Sequence, residues 1–406
     1  MTRAAPQAGP DRAVTDALRA LPDPGRPLRV VIDVVALARG GMERQVVALA
    51  AGLGARGHQV LLVVNKEVGA YATELVEGSV DVVELRRDER FDVRLAADLW
   101  RALGAFSPDV VLAVNFNATV WGRLVALARG GCRVVVAEHT TARPHHRRRV
   151  LWTNRLLGGG TDAIVACAAA QVGSLTREGD QPAKIVVIRN GVDTDALYSD
   201  PVARDGFRAG LRTPHGGFVV GLVAGHRLEK RHDRFVDLIE RLVRRGVDAH
   251  GVMVGGGPLI DQTRRLVAAS GAHDRLEVLG PRRSMRAAYC GCDVVTLVSD
   301  SVETLPLSLL EAQACGTPVV TYDIGGAAET VLAGQTGIVV SQGDAEGLAA
   351  AVANLADDGP GRQAMSAAAR RHILEHFTVQ RMVGEYEQLF LRLRAGEAPA
   401  GAGGDS

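Results

Sequence analysis

Short β-branched apolar runs alternate with amphipathic stretches along most of the chain. The run at 28–34 has the composition of a buried parallel strand. Apolar residues then recur at helical spacing between Val46 and Leu53, and a second apolar run follows at 60–64. A strand, a glycine turn, a helix and a strand within about 37 residues predict one βαβ unit.

The same alternation continues in two series. Further strands of the first series are predicted at 110–114, 133–137, 163–167 and 184–188, and those of the second series at 218–224, 250–254, 276–279, 294–298 and 318–322. Helices are predicted at 118–129, 231–245, 258–270, 306–314 and 379–393. Segments rich in Gly, Pro, Asn and Asp separate the two series between 190 and 217.

This organisation predicts an α/β protein with two Rossmann-like domains whose parallel sheets face an interdomain cleft, where ligands of such sheets bind. The predicted parts are a flexible extension at 1–27, an N-terminal domain at 28–192, a C-terminal domain at 193–377, a final helix at 378–394 that returns to the N-terminal domain, and a disordered tail at 395–406.

The composition argues against several classes of function. The 406 residues carry 47 basic and 46 acidic side chains, a net charge of +1, and only 4% aromatic residues, so a nucleic-acid-binding protein is not expected. No secretory signal and no apolar run of about 18 residues is visible. Five cysteines without a C-x-x-C pair favour reduced thiols. We therefore expect a cytoplasmic protein.

Two turns at the ends of predicted strands contain residues suited to binding anions. Gly40-Gly41-Met42-Glu43 joins the first strand to a helix, where backbone N–H groups can approach an anion, although the glycines could equally serve a tight turn. Arg227 and Lys230 follow the first strand of the second series and could grip a diphosphate or simply begin a solvated helix.

Two carboxylates lie around the start of the helix at 306–314. Glu303 precedes this helix, and Glu311 falls on its second turn. A carboxylate can accept hydrogen bonds from vicinal hydroxyls such as those of a ribose, and the backbone around Leu305 and Leu307 can meet a phosphate or a sugar hydroxyl. The alternative is a capped helix with an exposed glutamate.

The motif Glu303-x7-Glu311 followed by Ala-Gln-Ala-Cys-Gly-Thr-Pro-Val-Val resembles the signature of family-four retaining glycosyltransferases of the GT-B fold. Weaker matches follow the family's order over roughly 28 to 390. They are Gly40-Gly41-Met42-Glu43, Lys184–Asp193, Gly255-Gly256-Gly257-Pro258, Gly325-Gly326-Ala327-Ala328-Glu329 and Gly334-Gln335-Thr336-Gly337.

The resemblance implies roles for four residues of the second domain. Arg227 and Lys230 would bind the diphosphate of a nucleotide-sugar donor. Glu303 would hold hydroxyls of the transferred sugar near its anomeric carbon, and Glu311 would bind the ribose. The family commonly has its arginine five residues before the lysine, a position that is Gly225 here, so Arg227 would act in its place.

Further donor contacts are implied at both cleft edges. Gly41 would let the first domain's loop close on phosphate and sugar, His139 would contact the donor sugar, and Arg282 would lie near the nucleobase. Thr304, with Leu305 and Leu307, would line the donor site. The family commonly has glycine at the position of Thr304. The larger side chain would narrow the loop and could change which sugar is accepted.

The implied activity is transfer of a sugar, with retention, from a UDP- or GDP-sugar to a hydroxyl acceptor in glycan, glycolipid or natural-product biosynthesis. Arg227 and Lys230 would stabilise the leaving diphosphate, so no metal and no other cofactor is expected. Two alternatives share the fold: a sugar-nucleotide epimerase that needs no acceptor, and a non-catalytic protein that binds sugar nucleotides.

The run at 143–149 is strongly basic and includes Arg147, Arg148 and Arg149. It is compatible with peripheral contact to an anionic membrane, at the inner face of the cell membrane, because each basic residue adds about 1 kcal/mol of attraction there. The alternative is a solvated helix start. Asp193-Thr194-Asp195 is a D-x-D string, but it follows a turn and is better suited to capping than to a metal.

Overall fold

The computed structural model describes residues 26–37, 40–69, 80–87, 92–139, 147–212, 216–282, 284–301 and 303–399, without the side chains of 116, 117, 119 and 147. Three predictions fall wholly or partly outside these residues: the N-terminal extension up to residue 25, the first four residues of the basic run at 143–149, and the tail from residue 400.

The N-terminal domain is built on a seven-stranded parallel sheet with the order β3-β2-β1-β4-β5-β6-β7. Its strands are β1 (Arg29–Val34), β2 (Gln59–Val64), β3 (Asp81–Glu84), β4 (Val110–Val114), β5 (Arg133–Glu138), β6 (Ala163–Ala166) and β7 (Ile185–Val187). The β-branched runs form strands because both faces of the central strands are buried, which favours continuous apolar sequence.

Helices cover both faces of this sheet. The helices of the first part of the chain are α1 (Gly41–Ala55), α2 (Val93–Phe106), α3 (Phe116–Arg129), α4 (Arg147–Leu157) and α5 (Ala169–Arg177). Val30 and Ile32 of β1 point to a core that includes α1, whereas Val31 points to α2 and α3. Side chains alternate between the two faces, as the pleat requires.

The C-terminal domain has a six-stranded parallel sheet with the order β10-β9-β8-β11-β12-β13. Its strands are β8 (Phe218–Val223), β9 (Ala249–Val254), β10 (Leu276–Gly280), β11 (Val294–Leu297), β12 (Val319–Tyr322) and β13 (Gly337–Val340). Its helices are α6 (Pro201–Ala209), α7 (His232–Arg244), α8 (Ile260–Ala269), α9 (Arg286–Gly291), α10 (Leu307–Ala314), α11 (Ala345–Asp357) and α12 (Gly359–His376), and the last helix of the chain is α13 (Val379–Arg394).

Several elements differ from the sequence-based expectation. The apolar periodicity does not predict β3, α2, α6, α9, β13, α11 and α12. Helix α10 begins at Leu307 and not at Pro306, because the backbone of Pro306 is extended (ψ 112°) and forms the N-cap. The predicted tail boundary falls in a turn that continues α13, where Ala395 and Glu397 donate backbone hydrogen bonds to Leu391 and Arg392.

The chain crosses between the domains at two neighbouring places. The N–H of Val192 donates to the carbonyl of Phe377 at 2.7 Å, and the N–H of Val379 donates to the carbonyl of Val192 at 3.1 Å. A Cβ on Gly191 would lie 2.6 Å from the Val379 backbone. After this crossing α13 packs against α1, so the last helix belongs to the core of the N-terminal domain.

Asp33 of β1 is an ionisable group in the middle of this core. It is fully buried and accepts a 3.0 Å hydrogen bond from Asn65 through Oδ1, while Oδ2 is without a partner among the described residues. Burial raises the pKa of Asp33 from 3.8 to about 7. The folded state therefore retains a proton that the unfolded chain releases, and stability falls as pH rises from about 4 to 7.

Candidate functional site

The carboxyl ends of the two sheets meet across the cleft. The turn at Gly40-Gly41 follows β1, and the segment 300–306 follows β11. A Cβ on Gly41 would lie 2.9 Å from Cδ1 of Leu307, so Gly41 lies directly against the first residue of α10. The structure thus brings two predicted donor-site residues from different domains together, and the absence of a side chain at 41 allows this close approach.

Glu303 and Lys230 form an ion pair at this edge. The Nζ of Lys230 donates to Oε1 of Glu303 at 2.5 Å, and the hydroxyl of Ser299 donates to the same oxygen at 2.5 Å. The side chain of Glu303 is only 5% exposed. Among the described residues nothing donates to Oε2, so this oxygen can accept a hydrogen bond from a ligand hydroxyl.

Glu311 lies on the second turn of α10, as predicted, and both of its oxygens have partners. The buried hydroxyl of Tyr289 donates to Oε2 at 2.7 Å, and the guanidinium of Arg44, on α1, pairs with Oε1. Glu311 is buried, whereas the Arg44 side chain is 38% exposed. The Glu311 carboxylate is therefore held by Tyr289 of its own domain and contacted by Arg44 of the N-terminal domain.

Arg227 lies close to Gly225, the position at which the resemblance would place an arginine. Its Nε is 3.8 Å from the point where a Cβ of Gly225 would be. Burial raises the pKa of Glu43, while a backbone hydrogen bond and then the charge of Arg227 lower it. The Arg227 side chain is exposed and lies near Gly225.

His226 fixes the turn that carries Arg227. Its backbone N–H donates to the carbonyl of Gly256 at 2.8 Å, and its ring shares a 3.0 Å hydrogen bond with Thr263. The ring stacks on His232, with centroids 4.1 Å apart. Gly257 adopts φ 148° and leaves no room for a Cβ against His226. The glycine-rich segment 255–257 therefore supports the turn from behind.

Glycines 325 and 326 allow the segment of Glu303 to approach the turn that follows β12. A Cβ on Gly325 would overlap the carbonyl of Glu303, and a Cβ on Gly326 would overlap the carbonyl of Thr304. Thr304, a predicted donor-site residue, is half-buried in this contact, and Leu305 beside it is buried. The predicted loop at 303–305 is therefore held by backbone packing.

Glu329 joins the domains on the other side of this loop. Its two carboxylate oxygens accept from the backbone N–H groups of Ala169 (2.9 Å) and Ala170 (2.7 Å), at the start of α5. The N-cap residue Ala168 has no side chain that could do this. A carboxylate at a helix N-terminus is favourable, so Glu329 of one domain caps a helix of the other.

The remaining two predicted residues lie at the same sheet edges. His139 follows β5, its backbone N–H donates to Oδ1 of Asn115 at 3.3 Å, and burial lowers its pKa to about 4. The imidazole is therefore neutral near pH 7 and can offer hydrogen bonds without charge. Asn115 has a positive φ of 62°, an unusual conformation outside glycine. Arg282 follows β10 and is exposed.

In the described parts of the chain no group of three or more His, Cys, Asp or Glu side chains is placed to hold a metal ion. Asp193 of the D-x-D string caps a turn, since its Oδ1 accepts from the N–H groups of Asp195 and Ala196 at 3.0 Å. No helix within the described ranges is long and apolar enough to cross a membrane.

Sequence reasoning did not identify four residues that hold the predicted site, namely Arg44, Tyr289, Ser299 and Glu329. Glu329 belongs to a motif that resembles the family, so its carboxylate could have been noticed. Ser299 lies four residues before Glu303, but a lone serine at that spacing has no specific meaning. Tyr289 and Arg44 reach Glu311 from 22 and 267 residues away, and no local pattern reports such contacts.

Comparison with known proteins agrees with this architecture. The family described as Glycosyltransferase Family 4 matches residues 39–196, and the one described as Glycosyl transferases group 1 matches residues 204–372. Anabaena Alr3699/HepE, solved with UDP and glucose, superimposes with a TM-score of 0.78 at 21% identity over 89% of this chain and 98% of that one. The protein therefore has the GT-B fold.

Sequence relatives define the class further. Glycogen synthase of Mycobacterium tuberculosis H37Rv is 30% identical over 404 residues, which cover 88% of this chain and 92% of that one. D-inositol 3-phosphate glycosyltransferase 1 of Catenulispora acidiphila is 29% identical over 68% of this chain and 70% of that one. The chain is therefore a glycosyltransferase of group 1, family four. These similarities support transfer and not the alternatives of epimerisation or binding alone.

Proposed function

We propose that this glycosyltransferase moves a sugar from a nucleoside diphosphate sugar to a hydroxyl acceptor with retention of anomeric configuration. The observation that supports the proposal is the Lys230–Glu303 pair after the strands β8 and β11. It combines a cation with a carboxylate that keeps an accepting oxygen, and Glu311, a second carboxylate suited to vicinal hydroxyls, follows eight residues later on α10.

Each of these groups can meet one part of the donor. Lys230 has three N–H donors, and Glu303 takes one of them, which leaves two for oxygens of the diphosphate. Oε2 of Glu303 accepts from a hydroxyl of the sugar. When the donor binds, the ribose hydroxyls replace Arg44 as the partners of Glu311, while Tyr289 continues to donate to Oε2.

The reaction follows from these positions. The bond between the anomeric carbon and the diphosphate oxygen breaks, and the acceptor oxygen bonds to the same face of the carbon. The hydroxyl proton of the acceptor passes to the leaving diphosphate. Arg227 and Lys230 stabilise the charge that develops on the diphosphate, and fixed cations of this kind supply a large share of enzymatic rate. We propose that transfer therefore needs no metal, which unchanged rates in excess EDTA would support.

Donor binding is tested first by thermal shift with UDP, GDP and a panel of their sugars. A ligand at about 100 times its Kd should add roughly 2.7 kcal/mol of stability. Lys230→Ala should lose this shift. Arg265→Ala, which removes an exposed cation of α8 in the same domain, is the matched control and should keep it.

Turnover separates the candidate activities. With the donor found in this way, Glu303→Ala and Lys230→Ala should abolish transfer while both variants remain folded. The anomeric proton coupling of the product reports retention. Formation of an isomerised nucleotide sugar without acceptor would support the epimerase instead. Near-normal transfer by both variants would refute the site.

We also propose that α4 rests on an anionic membrane surface. Trp152 and Leu156 are 70% and 79% exposed, and Arg148, Arg149 and Arg155 lie on the same outer face of this helix. Its opposite face, with Val150 and Leu157, is buried. Apolar side chains between cations are typical of helices that lie in a lipid interface.

Vesicle sedimentation tests this proposal. The protein should bind vesicles that contain phosphatidylglycerol and not vesicles of phosphatidylcholine alone. Changing Arg147, Arg148 and Arg149 to Glu should abolish binding, and Trp152→Ser should weaken it. Equal binding of the wild type and the triple variant would reject the membrane contact. That result would leave the proposed transfer site unaffected.

A further inference from the structure

A second ion pair runs alongside Lys230–Glu303. Arg231, the next residue after Lys230, donates from its guanidinium to Oδ2 of Asp300 at 2.6 Å. Asp300 lies three residues before Glu303 and next to Ser299, which donates to Glu303. The same two segments, one after β8 and one after β11, are therefore joined twice by side chains.

The backbone adds a third connection between these segments. The N–H of Asp300 approaches the carbonyl of Glu229 at 3.4 Å, and the side chain of Gln342 donates to the carbonyl of Asp300 at 2.9 Å. Arg234 is a more distant neighbour of the Asp300 carboxylate, at 3.8 Å. Asp300 is thus fixed from several sides, and Arg231 contacts a group that has little freedom to move.

Arg231 occupies an unfavourable backbone conformation. Its φ of 49° and ψ of 54° are left-handed, a region that favours glycine. It ends the short 3₁₀ turn Leu228–Lys230 and begins α7. A long cationic side chain at such a position has a local cost, and non-glycine residues in this region persist when the surroundings hold them, often at functional sites.

We propose that Arg231 and Asp300 are positioning residues, which hold the turn of Lys230 against the segment of Glu303 and keep these two donor-site groups in contact. The proposal deepens the function proposed above and rests on the roles given there to Lys230 and Glu303. Arg231 and Asp300 touch no substrate. They act by fixing the distance between the cation and the carboxylate, which matters because a displacement of about 1 Å can cost a hundredfold in rate.

The chain permits a test that needs no donor. It has three lysines, Lys66, Lys184 and Lys230. Acetylation by N-hydroxysuccinimide acetate, read by mass spectrometry, reports how freely each amine reacts. Lys184 is an internal reference, because its Nζ donates to the carbonyls of Gly158 and Thr161, far along the chain from Asp300.

Four variants separate positioning from general loosening. Arg231→Gly suits the left-handed backbone and removes the guanidinium, and Asp300→Asn removes its partner's charge. Both should raise the acetylation rate of Lys230 about tenfold without changing Lys184, and the double variant should add nothing further. Asp233→Asn is the matched control, since Asp233 also bonds Arg231, at 2.7 Å, but lies two residues away in the same segment. It should behave like the wild type.

Acetylation of Lys230 at the wild-type rate in both single variants overturns the proposal, as does an equal rise of Lys184. Glu303→Gln, which removes the carboxylate itself, calibrates the full response. With a UDP- or GDP-sugar that the thermal-shift panel identifies, Arg231→Gly and Asp300→Asn should lower kcat at least tenfold and change the KM for donor less than threefold. If Lys230→Ala transfers sugar normally, the proposed function fails, while the acetylation result still decides the positioning.

Discussion

Replacing Tyr289 by Phe removes one hydroxyl from beneath the carboxylate that we assign to the ribose. In the structure this hydroxyl is buried and donates to Oε2 of Glu311 at 2.7 Å. Arg44 contacts the other oxygen and would give way to the ribose, so Tyr289 is the protein donor that Glu311 retains in the complex. A hydrogen bond to a charged group contributes roughly 1.5 to 3 kcal/mol. The same bond exists in the free protein, so only the share of this free energy that orients Glu311 for the ribose reaches the Kd. With about half of it, the Kd for UDP or GDP should rise about three- to tenfold.

Isothermal titration of UDP and GDP measures this change directly. Tyr386→Phe is the matched control, because Tyr386 is equally buried but belongs to α13 in the core of the N-terminal domain. It should leave both dissociation constants unchanged. The reasoning fails if Tyr289→Phe binds the nucleotide within twofold of the wild type, or if the control weakens binding as much.

Three further changes test other contacts. Arg44→Ala should tighten nucleotide binding about two- to fivefold by titration calorimetry, because it frees Glu311 from a half-exposed pair worth about 0.5 to 1 kcal/mol; weaker binding would show that Arg44 contacts the donor. Asp33→Asn should raise the free energy of unfolding by up to about 4 kcal/mol at pH 8 and should not change it near pH 3. The reason is that the pKa of Asp33 rises from 3.8 to about 7 on folding, and each pH unit corresponds to about 1.36 kcal/mol. Denaturant titrations with equal gains at both pH values would contradict the assignment. Gly41→Ala should lower kcat/KM about tenfold, and Leu307→Ala should restore much of it if their 2.9 Å approach is the cause.

Much of the fold could be predicted from the sequence because buried parallel strands need continuous apolar runs. The predicted strands at 28–34 and 60–64 correspond to β1 and β2, for example. Strand β3 is not predicted because Asp81 and Glu84 enclose only two apolar residues, Val82 and Val83, too few for a buried run. Helix α2 has a buried stripe at Leu95, Leu99 and Leu103 and an Asp92 cap, so the sequence does contain a helical signal there.

The candidate site could be predicted where its residues stand in short motifs, and the contacts between those motifs could not. Glu303 and Glu311 stand on one segment at a fixed spacing, and the structure places both at the cleft edge. The contacts that hold them connect segments far apart in the chain, such as Arg44 with Glu311. Which arginine meets which carboxylate depends on how the two sheets face each other, and that is a property of the folded chain alone.

The two neighbouring crossings between the domains determine what kind of motion the cleft can make. Because Val192 is hydrogen-bonded to both Phe377 and Val379, the crossings form a short two-stranded ribbon. Because the two crossings lie side by side, a change of the angle between the domains would turn about this place. Gln45 donates to and accepts from the backbone of Gly191, which couples this place to the second turn of α1. A change of that angle would therefore move the start of α1 and would separate Gly41 from Leu307.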